Sequence, residues 1–186
     1  MNPLEITAAV LGLIQIVLLI RRSVWNFPVA MGQVALAGVV LAGARLYSEA
    51  GLQAFFFAVN AQGWWLWRDA RGEDDAAVSV TWMAWPPRAY WAGFTLVLSL
   101  ALGWTMHHFT NAALPFADSA VTGASVAAQL LLNLRRIENW ELRIAIDVVS
   151  VGLYLNRGLH LLAVLYVAFL VLSVIGLRRW TKASQA

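Results

Sequence analysis

Long apolar runs separated by short polar breaks make up most of the chain. A helix needs roughly 17–25 largely apolar residues to cross the hydrocarbon core of a bilayer. Seven segments reach that length, at about 4–20, 27–44, 51–67, 90–106, 118–134, 140–156 and 159–177. Arginine ends most of them: Arg21-Arg22, Arg45, Arg68, Arg135-Arg136 and Arg178-Arg179. The polar linker RDARGEDDAAVS (68–79) follows the third segment, and WMAWPPRAYW (82–91) reads as an interfacial approach to the fourth. The pattern predicts an all-α integral membrane protein with seven transmembrane helices.

Composition agrees, with 61% hydrophobic residues and only 12% charged ones in 186 residues. A soluble interior of this size is too small to hide so much apolar surface. Ten tryptophans, many beside charges or at run ends, suit anchors at the head-group level. The absence of cysteine excludes disulfides and thiolate metal sites. A net charge of +3 does not point to nucleic acid, because the arginines cluster between apolar runs as membrane topology requires. With the N-terminus outside, cytoplasmic loops hold Arg21, Arg22, Arg68, Arg71, Arg88, Arg135, Arg136, Arg178, Arg179 and Lys182, against Arg45 and Arg157 outside. That bias predicts an outer N-terminus and a cytoplasmic C-terminus. The first run follows MNPLE and lacks a convincing cleavage site, so it is read as a retained span rather than a signal peptide.

A shift of 113 positions superposes Arg22 on Arg135, Asn26 on Asn139, Phe27 on Trp140, Leu46 on Leu159 and Leu52 on Leu165. It also pairs Phe56 with Phe169, Gly63 with Gly176 and Trp67 with Trp180. Spans 1–3 therefore resemble spans 5–7, and span 4 carries the chain back so that the copies run parallel. The expected division is 1–67 for the first three-helix repeat, 68–117 for the linker and fourth helix, and 118–186 for the second repeat and tail. This 3+1+3 order is the parallel-repeat plan of sugar transporters of the SWEET type, in which substrate sits near the midplane between the halves.

Polar side chains at membrane depth are costly, and by default they bind something or join helices. Trp140, Arg143, Asp147, Val151 and Tyr154 share one face of span 6 by their spacings of three and four. Arg143 and Asp147 are i,i+4 neighbours able to neutralise each other, which alone would explain them as a helix-joining pair. The favoured reading is a cavity wall, with Trp140 and Tyr154 as stacking surfaces and Asp147 as acceptor or counter-charge. Asn60 and Trp64 in span 3 are placed in the same wall, while Trp67 is assigned to the interfacial aromatic belt. Gln33 and Gln129 add amides suited to a ribose or a heteroaromatic amide, although each would also serve to bond a neighbouring helix. Glu138 and Glu141 are expected to face the interface. His107 and His108, beside Asn111 and Asp118, lack a third ligand at good spacing, so no metal and no cofactor are expected. An intramembrane enzyme using Asp147 and Glu138 is the competing class, and a membrane scaffold without a polar cavity is a third.

RRIENWELRIAIDVVSVGLYLNRGLH (135–160), with FFFAVNAQGWWLW (55–67) and LPFADS (114–119), resembles the PnuC family of nicotinamide riboside transporters along nearly the whole chain. The resemblance implies facilitated diffusion of a vitamin-like nucleoside across the cytoplasmic membrane, drawn forward by a cytoplasmic kinase that traps it. It implies Asn139, Trp140, Asp147, Asn60 and Trp64 as cavity residues, with Gln129 added. Arg143 stands where the family commonly has a second Trp, and its charge opposes a cationic substrate unless Asp147 cancels it. Branches of the family that carry thiamine, riboflavin or deoxynucleosides stay as alternatives. The expected partners are that solute, the lipid bilayer and the kinase, with a homo-oligomer left open and no enzymatic activity.

Overall fold

Backbone groups in hydrocarbon have no water to bond, so an apolar run crosses a membrane by bonding to itself as a helix. A computed structural model describes residues 3–43, 47–71, 77–110 and 114–185. Arg45, Leu46, Asn111 and the linker centre at 72–76 lie outside the described residues. The described residues form seven helices: α1 (Pro3–Ile20), α2 (Asn26–Gly43), α3 (Tyr47–Ala70), α4 (Trp85–Phe109), α5 (Pro115–Asn133), α6 (Glu138–Asn156) and α7 (His160–Ala183). Each covers one expected span. Helix α7 runs six residues past the expected 177, and α4 begins five residues before the expected 90, because Pro86 and Pro87 fit its first turn and do not break it.

By length and composition α2, α4 and α7 are each apolar enough to cross a membrane, and Ile6–Ile20 of α1 is a shorter apolar stretch. Exposed aliphatic side chains agree: Val97 on α4 and Val164 on α7 each keep 66% of their surface open. Apolar surface on this scale belongs against lipid rather than water.

The helices belong to two compact units. One runs to Ser79 and takes in Asn133–Arg135, and the other comprises Val80–Leu132 and Arg136–Ala186. Within the first, α2 packs on both α1 and α3; within the second, α6 packs on α7.

Both units contain the same lock. In the first, the buried Phe27 ring meets Trp67 edge-on, with centroids 5.1 Å apart at 80°. A methyl group at Gly63 would overlap Phe27 and Asn133, so only glycine lets the helices close here. In the second, Trp140 meets Trp180 edge-on at 5.5 Å and 86°, and a methyl group at Gly176 would overlap the Trp140 ring. Three of the positions paired by the 113-residue shift, Phe27, Gly63 and Trp67 with Trp140, Gly176 and Trp180, thus meet one another inside each unit. The helix ends repeat too. Helices α1, α2 and α3 end at Ile20, Gly43 and Ala70, while α5, α6 and α7 end at Asn133, Asn156 and Ala183.

The turns between the first two helices of each copy are also alike. Asn26 Nδ2 donates to the Ser23 carbonyl at 2.7 Å, and Asn139 Nδ2 donates to the Arg136 carbonyl at 2.6 Å. Arg22 and Arg135 precede them with φ of 56° and 59°, the left-handed region that favours glycine. Arg135→Gly should therefore stabilise the fold by about 0.5–1 kcal/mol. The check is a higher melting temperature in detergent than that of the parent.

The linker ends in an extended strap, residues 77–84, with Val78 and Val80 buried. Arg22 Nη1 donates to the Val78 carbonyl at 3.2 Å in the first unit. In the second, Ile137 N donates to the Thr81 carbonyl at 3.1 Å, and Arg136 Nη1 donates to Thr81 Oγ1 at 2.6 Å. Within the second unit, the strap thus leads into α4 from a point tied to the α5–α6 turn.

Candidate functional site

Helix α6 starts with carboxylates, which suit the positive end of its dipole, and then carries Arg143 and Asp147 into an otherwise apolar stretch. Asp147 is 6% exposed, and its Oδ2 accepts a hydrogen bond from the Ser173 hydroxyl of α7 at 2.8 Å. Arg143 lies one turn earlier, within electrostatic reach of Asp147. Its Nε is buried without a hydrogen-bond partner. The expected mutual neutralisation is therefore only partial: Ser173 takes up the carboxylate oxygen, and the guanidinium keeps a donor unused. One turn beyond Val151, Tyr154 packs at a tilt against Tyr166 of α7, with centroids 5.0 Å apart at 52°.

A carboxylate, a hydroxyl, a guanidinium donor and two phenol rings on facing helices suit a polar ring-bearing solute. Hydrolysis by paired carboxylates is geometrically poor. Glu138 is nine residues from Asp147, about 13 Å along the helix axis. It is engaged elsewhere, with Oε1 accepting from Met83 N and Arg88 Nε at 2.8 Å each. This corrects the expectation that Glu138 faces the interface: the ion pair with Arg88 makes its burial affordable. Glu141 does remain exposed.

Two tryptophans also differ from expectation. Trp67 has no exposed surface and belongs to the Phe27–Gly63 lock, not to an aromatic belt. Trp140 has none either, so its ring packs on Gly176 and Trp180 and offers no open stacking face. Asn139 is buried as the cap of the α5–α6 turn, its Oδ1 left without a partner. Gln129 on α5 is buried as well. In the first unit, Asn60 is buried on α3 with its Nδ2 donating to the Phe56 carbonyl at 2.8 Å. Trp64 is partly exposed, with the Arg68 guanidinium 5.3 Å from its ring, and Gln33 on α2 is partly exposed. The structure thus aligns Arg143, Asp147 and Tyr154 along one helix, while Asn139 and Trp140 are enclosed at its start.

Ser173 and Tyr166 escaped the sequence reading. The repeat held the clue, since the 113-residue shift maps Gln53, Asn60 and Trp67 onto Tyr166, Ser173 and Trp180. Polar residues at intervals of seven on one helix therefore recur on its copy. At the histidines, His108 Nδ1 lies 2.9 Å from the Trp104 carbonyl, and Asp118 instead pairs with Arg157 through both oxygens. Among the described residues no group of three metal-ligating side chains assembles.

The sequence profile of a nicotinamide mononucleotide transporter family matches residues 2–182. The chain is 24% identical over 206 aligned positions to the nicotinamide riboside transporter PnuC of Escherichia coli, covering 98% of this chain and 86% of the relative. It is 30% identical over 183 positions to the riboflavin/roseoflavin transporter RibM of Streptomyces davaonensis, covering 95% and 83%. The crystal structure of a vitamin B3 transporter PnuC superposes with a TM-score of 0.80 at 26% identity, over 99% of this chain and 84% of that one. Seven apolar-faced helices with a buried polar cluster, and this likeness along their whole length, lead to one conclusion: the chain belongs to the nicotinamide mononucleotide transporter family of multi-pass membrane transporters.

Proposed function

We propose that the protein carries a nucleoside-like vitamin precursor, nicotinamide riboside first, across the cytoplasmic membrane by facilitated diffusion with alternating access. The observation that carries this reading is the Asp147–Ser173 pair, a buried acceptor with a hydroxyl beside it in a membrane helix. Asp147 serves as acceptor or counter-charge for the solute, Tyr154 as a ring surface, and Arg143 as a donor. Asn60, Trp64, Gln33 and Gln129 supply further polar contacts, and Asn139 and Trp140 hold α6 in place behind them. The repeated lock supports a 3+1+3 order with the division 1–67, 68–117 and 118–186. The arginine bias supports an outer N-terminus. A cytoplasmic kinase that traps the solute would draw uptake forward, and no chemical change of the solute is part of the cycle.

A second reading has its own observation. Arg143 brings a positive charge with an unused Nε donor, which favours a neutral, acceptor-rich ring of the riboflavin kind over a pyridinium cation. A thermal-shift screen of purified protein against nicotinamide riboside, thiamine, riboflavin and deoxynucleosides tests both, since a bound solute raises the melting temperature by mass action. Vesicle uptake with the solute recovered unchanged is expected; turnover in detergent would make the protein an enzyme. Arg143→Trp should shift preference towards nicotinamide riboside by roughly tenfold, the scale of one lost charge contact. A melting temperature unmoved by every solute in the screen would defeat the proposal.

A further inference from the structure

A groove of about 610 Å³ runs along α4 in the second unit, and no transported solute is needed to explain it. One end carries Arg88, Glu138 and Glu141, and the rest of its wall is mainly apolar, with Trp85, Trp91 and Leu96. We infer that this groove is a binding site for a phospholipid with a primary-ammonium head group.

Three features point to that chemistry. First, Glu138 is 95% buried, yet only its Oε1 is satisfied; Oε2 has no hydrogen-bond partner, although the residue lines the groove. A buried carboxylate short of donors favours a cation at the groove wall in front of it, and the exposed Glu141 beside it is open to accept an ammonium N–H. Second, the polar end holds two carboxylates against one guanidinium, and Glu141 makes no ion pair among the described residues, so the excess charge is negative. Third, Arg88 engages Glu138 through Nε alone and is about one-third exposed, which leaves its Nη groups for a phosphate. A zwitterionic head of phosphate and ammonium matches this order of charges. An anionic head would set its phosphate beside two carboxylates with no ammonium to answer them. A choline head has the charge but no N–H to give. The open Trp85 ring and Trp82, 4.8 Å from the Arg88 guanidinium, place aromatic rings where head groups lie. The apolar remainder of the groove receives an acyl chain.

The inference needs the membrane fold but not the identity of the solute. Full-length protein, stripped of lipid in detergent, would be titrated with phosphatidylethanolamine, phosphatidylcholine and phosphatidylglycerol and read by native mass spectrometry. Phosphatidylethanolamine should bind roughly tenfold more tightly than either of the others, the scale of a charge-assisted hydrogen bond. Glu141→Gln should shrink that preference while leaving the solute-induced rise in melting temperature unchanged. Glu138→Gln should abolish it where the variant folds; the head-group series on the parent protein decides the matter if it does not. Equal binding of the three lipids, or preference for phosphatidylglycerol, would overturn the inference. So would efficient cross-linking of two copies in native membranes through Ala92→Cys, which would assign the groove to a protein partner. Loss of solute binding with the lipid preference intact would count against the proposed function alone.

Discussion

Asp147→Ala is expected to lose uptake in reconstituted vesicles by roughly thirtyfold or more, the scale of removing one partner from a buried charged contact. The carboxylate is buried between α6 and α7 and holds the Ser173 hydroxyl. Two effects would follow its removal: the solute loses its acceptor, and Arg143 is left as a less compensated charge at membrane depth. Asp147→Asn removes the charge alone. The amide keeps the volume and an oxygen for Ser173, so the variant should insert and fold while transporting poorly. Ser173→Ala makes the complementary test, since it spares the charge and should reduce uptake far less. If well-folded Asp147→Ala transports at the parent rate, the carboxylate has no part in binding.

The largest structural effect is expected at Gly176. A Cβ there overlaps the Trp140 ring, which is enclosed on all sides and packed edge-on against Trp180. Neither ring has room to swing away, so α6 and α7 must part. Gly176→Ala should cost about 1–3 kcal/mol, as overpacked cores do, and Gly176→Leu should prevent recovery of folded protein. Gly152→Ala on the same helix pair is the control. Nothing stands within 4 Å of a Cβ at that position, so it should be neutral or slightly stabilising. Fluorescence-detected size exclusion after graded heating would read all three variants. Equal melting of Gly176→Ala and the parent would remove the lock from the account of stability.

The helices themselves were legible because apolar length and arginine punctuation are local properties, and a membrane allows few alternatives to a helix. The repeat was legible too, down to the residues that touch: Phe27, Gly63 and Trp67 in one copy and Trp140, Gly176 and Trp180 in the other. What each match was for could not be read. Tryptophan serves lipid interfaces, ligand stacking and tight cores alike, and position near a span end does not say which way the ring turns. That is why the full enclosure of Trp67 and Trp140 was not legible. Glu138 was misplaced because its partner Arg88 is fifty residues away, and pairing at that distance leaves no periodic trace. The α6 face was legible at Arg143, Asp147 and Tyr154, since helical spacing alone aligns them. Ser173 was missed because a lone serine in an apolar helix looks like filler until the carboxylate opposite is known.

The two copies are alike where they are locked and unlike where α6 is polar. Moving back by 113 positions turns Arg143 into Ala30 and Asp147 into Val34, while Asn139, Trp140 and Gly176 meet Asn26, Phe27 and Gly63. On α6, the residues that hold the copy together thus precede the residues proposed to choose a solute. A substitution that retunes selectivity need not disturb assembly, and one that disturbs assembly teaches little about selectivity. Under the proposed function, such a partition lets the cargo change while the locks stay intact.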